Sequence, residues 1–218
     1  MHDKSTIVPL GKFSTTGGCR ILNIAFVLFE QMTALDLIGF YDTIMRLPRF
    51  STLDVSSDLC AVTEMVRDAY GLIFTAQKVR PNLSNYDWVF VPGGHGTRQL
   101  RDDTEFISWL QSADRAQYKV SVCTGSLLLG SAGFLQGKRA TTHPSAYDLL
   151  APYCKEVVKS RIVADGRVIT GGGVATAIDL GLYVVEWLTD PAIAQKVQQS
   201  MDYPYYQPGM AGSDYVRD

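Results

Sequence analysis

The stretch YKVSVCTGSLLLGSAG, residues 118–133, runs a short apolar strand into a Cys-Thr-Gly turn and then into a helix-forming segment. A cysteine at the apex of such a turn is lifted out of the sheet and aimed at whatever lies beyond its edge. The pattern V-C-T-G-S resembles a nucleophile elbow, although it is not G-x-S-x-G. The positive end of the following helix favours thiolate over thiol, and the small Gly125 and Ser126 admit neighbouring backbone. A buried structural cysteine gives the same pattern. The residues alone leave both readings of Cys123 open.

Working outward, strand-like and helix-like segments alternate. RILNIAFVLF (20–29) and YDWVFVPGG (86–94) are continuous apolar runs, as in strands buried on both faces. TLDVSS (52–57) is a further short strand, and GLIFTAQ (71–77) suits a hairpin or side crossover. Between them, residues 33–47 carry Leu35, Ile38, Tyr41 and Met45 at helical spacing, with Pro48 as the stop. Residues 104–116 form an amphipathic helix with Phe106, Ile107, Leu110 and Ala113 on one face.

Past Gly133, RATTH (139–143) is extended and Pro144 opens a helix through Leu150. SRIVADGRVIT (160–170) is a hairpin turning at Asp165-Gly166. GGGVATAIDLGLYVVEWL (171–188) is a Gly-rich turn feeding a long buried helix, and a last helix covers residues 191–201. This order predicts an α/β fold with a mostly parallel sheet sandwiched between helices. It forms one domain over residues 20–203, with a flexible tail at 1–19 and a C-terminal tail along the surface at 204–218. The clustered tyrosines Tyr203, Tyr205 and Tyr206 suit packing or an interface better than a stacking platform.

Composition narrows the function classes. A chain of 218 residues that is 46% hydrophobic buries one sizeable core. A net charge of -2 gives no basic excess, so nucleic acid and anionic membrane are poor partners. No apolar run is long enough to cross a bilayer. The N-terminal residues lack the apolar core of a signal peptide, and the four cysteines form no CxxC pair. Free thiols in the cytoplasm are the expectation. None of the three histidines has metal-ligand spacing, so no metal is expected. Neither Gly-rich turn completes a nucleotide fingerprint.

In an open parallel sheet, ligands sit beyond the carboxyl ends of the strands. There the sequence places Asp36, the PGGHG turn with Gly94 and His95, the Cys123-Thr124 turn, and the TGGG turn with Gly172 and Gly173. Backbone N–H groups at Gly94 and Thr124 suit an oxyanion-type pocket beside Cys123. Taken alone, PGGHG reads first as a tight turn that needs glycine for positive φ. Asp36, in an apolar helical stretch, is either a helix cap or a catalytic carboxyl. His143 precedes a proline and so sits in extended chain.

Together, VFVPGG, VSVCTGSLLLGSAGFLQGKRATTHP and DGRVITGGGVATAIDLGLYVVEWL resemble the ThiJ/PfpI superfamily over about residues 20–203. That resemblance implies the flavodoxin-like, class I glutamine amidotransferase-like fold, with Cys123 as nucleophile. Members with a histidine directly after the cysteine differ from this chain, which has Thr124. Asp36 in TALDLIGFYD, Cys-Thr-Gly, ATTH and GGG look like the isonitrile hydratase branch. The branch implies hydration of a small isonitrile to an N-substituted formamide through a Cys123 thioimidate, with Asp36 as acid/base. It further implies a support role for His143, a homodimer, and no cofactor. The alternatives are a cysteine-dependent stress or redox sensor, and a small-molecule-binding regulatory domain. Regulators with this core continue into a helix-turn-helix module, and this sequence ends soon after Met201.

Overall fold

The computed structural model describes residues 14–16, 19–209 and 215–216. Its frame is a sheet whose central strands are apolar and wholly covered. β1 (Ser14–Thr16) turns back on β2 (Cys19–Val27), which is followed by α1 (Ala34–Ile44) and β3 (Leu53–Ala61). β4 (Met65–Arg67) and β5 (Ile73–Thr75) make a small separate hairpin, and β6 (Lys78–Val79) returns to the main sheet. β7 (Trp88–Val91), α2 (Thr97–Leu100), α3 (Thr104–Gln111), β8 (Tyr118–Val122) and α4 (Gly125–Ser131) build the middle.

The second half begins with β9 (Arg139–Ala140), α5 (Tyr147–Leu150) and β10 (Glu156–Val157), where β9 and β10 pair with each other. β11 (Ile162–Asp165) and β12 (Val168–Gly171) form the expected hairpin through Gly166, whose φ is +63°. α6 (Thr176–Leu188), α7 (Pro191–Ser200) and β13 (Tyr215–Val216) complete the described chain.

Among the described residues, nine strands share one sheet. Its path is β13-β11-β12-β8-β7-β2-β3-β6, with β1 paired to β2. From β12 to β6 all neighbours are parallel; β11, β13 and β1 join antiparallel. Every residue of β7, β8 and β12 is buried, as a sheet covered on both faces requires. On one face Phe26 and Phe90 pack against Phe40 of α1, and Trp88 and Tyr118 against Trp187 of α6. α1 and α6 cross closely because Gly39 faces Ala177 and Gly181 faces Thr43; a Cβ on either glycine would stand 2.9 Å and 2.6 Å from those side chains. On another side α4 packs on β7 and β8, with α2 and α3 against it. This is the mostly parallel α/β sandwich implied by the sequence.

The differences have local causes. α1 ends at Ile44 rather than at Leu47, because the helix would need an N–H at position 48 to bond the Ile44 carbonyl, and Pro48 has none. Pro48 instead lies in a 3-10 turn, Leu47–Arg49. The buried face of α1 is Leu37, Phe40 and Ile44, while Leu35 and Ile38 are 49% and 44% exposed. The helix is apolar nearly all round, so its periodicity could not choose the face. β3 runs on to Ala61 because β2 pairs with it from Leu53 to Cys60 and β6 takes over at Cys60 and Ala61. Both expected tails contain strand: Ser14–Thr16 pairs with Cys19–Ile21, and Tyr215–Val216 extends the sheet beyond β11. The rest of residues 1–18 and 210–218 lies outside the described residues. No helix among the described residues is long and apolar enough to cross a membrane.

Candidate active site

Parallel pairing of β2, β7, β8 and β12 brings the turns after these strands to one edge of the sheet. At the turn after β8, Cys123 adopts φ +55°, a left-handed conformation that costs a non-glycine residue on the order of 1–3 kcal/mol. Surrounding bonds hold it there. The Cys123 N–H is shared between the carbonyls of Gly171 and Gly172 at 3.0 and 2.7 Å, and Thr142 Oγ1 donates to the Cys123 carbonyl at 2.9 Å. Gly125 lets the turn press on the end of β7, since a Cβ there would stand 2.2 Å from the Val91 carbonyl oxygen. The strain is thus fixed by the fold, and the thiol is presented at the sheet edge.

Asp36 comes from the first turn of α1 and is fully buried. It does not cap its own helix: Thr33 occupies the cap position, and Asp36 Oδ2 accepts from Gly93 N at 2.9 Å. Its other oxygen, Oδ1, has no hydrogen-bond partner among the described residues. Burial raises the Asp36 pKa from an ordinary 3.8 to about 7, against the lowering effects of the Gly93 N–H and the facing Cys123 thiol. The Cys123 thiol is pushed up to about 12, first by burial and then by the Asp36 carboxylate; the Thr124 N–H works in the opposite direction. The sequence expectation of a thiolate favoured by the helix end is therefore not met in the resting site. Burial outweighs the short helix α4, and both members of the pair favour their protonated forms, the thiol more strongly than the acid.

Gly93 is the residue that sequence reasoning missed. A Cβ on it would stand 2.6 Å from Thr124 N, 2.7 Å from Cys123 Cβ and 2.9 Å from Asp36 Oδ2. Only glycine lets these three groups converge. The doubled glycine of PGGHG was the available signal, but spacing does not say which glycine faces the acid. Gly94 has another task. Its N–H donates to Thr124 Oγ1 at 3.0 Å, and that hydroxyl donates back to the Gly94 carbonyl at 3.1 Å. The Gly94 N–H is thus occupied in tying its loop to the Cys123 turn, leaving Thr124 N–H as the backbone donor beside the sulfur.

A cavity of 560 Å³ opens over Cys123 and Thr124. Ala34, Leu35, Leu72 and Val174 give it apolar walls, while His95, Arg98 and His143 stand among its polar groups. His95 is exposed at its edge. His143 takes the Ser145 N–H on Nδ1 at 3.2 Å, which leaves the ring hydrogen of the neutral form on Nε2. Gly172 lies behind the site: its N–H donates to the Arg161 carbonyl at 2.9 Å, and its own carbonyl takes the Cys123 N–H. Gly173 faces the His143 ring and lines a separate cavity of 360 Å³ beyond it. Tyr70 and Leu72 reach the main cavity from the β4–β5 hairpin, a placement without any sequence signal.

A buried cysteine in a strained turn, faced by a carboxyl of raised pKa at the carboxyl edge of a parallel sheet, matches the family assignment. The chain belongs to the DJ-1/PfpI family, whose model matches residues 22–187. It is 40% identical over 193 residues to the isonitrile hydratase of Pseudomonas putida, a match covering 88% of this chain and 83% of that one. It is 32% identical over 121 residues to the HTH-type transcriptional regulator CdhR of Pseudomonas aeruginosa, covering 54% of this chain and 35% of the regulator. A THiJ/PfpI family protein from Pseudomonas syringae superposes with a TM-score of 0.76 at 30% identity, covering 95% of this chain and 88% of that one.

Proposed function

We propose that this protein hydrates isonitriles to N-substituted formamides, with Cys123 as nucleophile and Asp36 as proton carrier. The pairing of the buried Asp36 carboxyl with the Cys123 thiol carries the reading, because isonitrile hydration needs a soft nucleophile and a proton delivered to carbon. The likeness to an isonitrile hydratase supports it. In the reactive state the pair holds one proton. Transfer from the thiol to Asp36 leaves thiolate beside carboxylic acid, and the sulfur attacks the isonitrile carbon as Asp36 protonates it. The product is a thioimidate, R–N=CH–S–Cys123, and an ionised Asp36. The carboxylate then takes a proton from water as the oxygen adds to the same carbon. The tetrahedral adduct collapses, its nitrogen gains a proton, and formamide leaves as the Cys123 thiol is restored. The sum is isonitrile plus water, and no organic cofactor or metal enters the balance.

Thr124 acts in this scheme through its N–H at the sulfur and its hydroxyl on Gly94. His95 and His143 contact substrate from the cavity wall, while Gly172 and Gly173 shape the backbone behind it. The expected result with purified protein and a simple alkyl isonitrile is stoichiometric formamide. In deuterated water the formyl position should carry deuterium, as nuclear magnetic resonance would read. A folded protein that leaves several isonitriles unconsumed would remove this function. The regulator-like match would then favour a small-molecule-binding domain.

The protein is further expected to work as a homodimer in the cytoplasm, without nucleic-acid or membrane partners. Leu35 and Ile38 of α1 and Met65, Leu72 and Ile73 of the β4–β5 hairpin are all exposed large apolar side chains. A bridge between Met32 and Asp68 ties the hairpin to the segment before α1, and Leu35 and Leu72 share the rim of the cavity. Such a rim is costly to leave in water. Sedimentation equilibrium should give twice the chain mass; a monomer at micromolar concentration would overturn the dimer.

A further inference from the structure

The cavity over Cys123 has a cationic side chain in its lining besides its apolar wall. An isonitrile carbon needs only the thiol and its proton carrier, and its apolar substituent would be satisfied by Ala34, Leu35, Leu72 and Val174. Yet Arg98 also lines this space, with its guanidinium unpaired among the described residues. Asp68, the one carboxylate among the described lining residues, makes no ion pair with it. Asp68 is 5% exposed and spends Oδ1 on the N–H groups of Tyr70 and Leu72, both at 2.8 Å, inside its own hairpin turn.

The backbone that carries the exposed Arg98 side chain is tied to the turn that bears the chemistry. Arg98 lies in α2 directly after Thr97, a fully buried residue whose Oγ1 donates to the Gly94 carbonyl at 2.8 Å. That same carbonyl receives the Thr124 hydroxyl. The turn bearing the guanidinium is therefore tied through one carbonyl to the residue next to Cys123. A planar, always-charged fork on a fixed mount suits an anionic oxygen pair, which it binds bidentately.

Resting on the hydratase reading, we infer that the preferred substrates are isonitriles whose apolar N-substituent ends in a carboxylate, and that Arg98 is the residue that recognises it. The neutral reacting group goes to Cys123, the aliphatic spacer lies on the apolar wall, and the charge remains at the wetter mouth beside Arg98 and His95. Binding energy from this remote contact would hold the small isonitrile group in position for attack.

The test uses the full-length protein with an ω-isocyanohexanoate and its methyl ester, which differ in charge but little in shape. The expected result is a preference for the carboxylate of about tenfold or more in kcat/KM at low salt, the worth of one charge-assisted contact. Arg98→Gln should erase that preference, mainly through KM for the carboxylate. Equal use of both substrates by the wild type, or a loss in R98Q that is the same for both, would overturn the inference while leaving hydration intact. A second readout needs no turnover: hexanoate should slow alkylation of Cys123 in the wild type and fail to do so in R98Q. If neither isonitrile reacts but hexanoate still protects in this way, the hydratase reading falls and the anion site stands. If R98Q instead sediments as a monomer from a dimeric parent, Arg98 serves the partner subunit and the substrate assignment is overturned.

Discussion

Replacing Cys123 by alanine is expected to reduce isonitrile hydration by about 10⁴-fold or more, down to the uncatalysed background, because the covalent step has no other nucleophile. Cys154, half-buried and outside the cavity, should be replaceable by alanine with no loss of rate. Cys123→Gly supplies a second variant. It relieves the backbone strain at φ +55°, so its loss of activity cannot be charged to poor folding. Formamide production followed by nuclear magnetic resonance is the measurement, and turnover within about tenfold of wild type would remove Cys123 from the mechanism. Alkylation gives a companion result. With the thiol pushed up to about 12, reaction with iodoacetamide should be slow at neutral pH and should climb into the alkaline range. A plateau already reached in mildly acidic solution would show a low-pKa thiolate and contradict the resting site described above.

The cysteine turn was legible because an apolar strand ending in Cys-Thr-Gly leaves few structural choices. The sheet followed from continuous apolar runs such as YDWVFV, whose Trp88–Val91 is buried at every position. Asp36 was visible as a charge in an apolar helix, but capping and catalysis could not be separated on spacing. What separates them is the Gly93 N–H, a contact across 57 positions that no local pattern carries. The thiol's protonation state was misjudged for a related reason. A helix end is readable in sequence, whereas the burial that outweighs it arises only when α1, β7 and β8 converge. The cavity wall from Asp68 to Leu72 was illegible altogether, because a bridge from Asp68 to Met32 sets it, not any periodic pattern.

The behaviour of Asp36→Asn separates the proton carrier from a structural carboxyl. Asparagine keeps the shape and can still accept the Gly93 N–H, but it cannot carry a proton between sulfur, carbon and water. The rate should fall by about 10²-fold or more. The pH profile should change with it. In the wild type the reactive pair holds one proton, so kcat/KM should rise with pH as Asp36 ionises at about 7 and level off until the thiol also titrates. In Asp36→Asn that inflection should vanish, and the residual rate should follow thiol ionisation alone. Stability should move the opposite way. Folded Asp36 binds its proton more tightly than the unfolded chain does, so its contribution is fully present below an ordinary 3.8 and is lost as pH rises through about 7. At neutral pH the wild type therefore carries the cost of a buried charge that asparagine avoids. Thermal melts should show Asp36→Asn as the more stable protein at and above neutrality, with the difference closing below about pH 4. A variant that kept wild-type activity and the inflection near neutrality would leave Cys123 without its proton carrier. An inactive variant destabilised equally at every pH would mean that Asp36 holds the site together rather than moving protons through it.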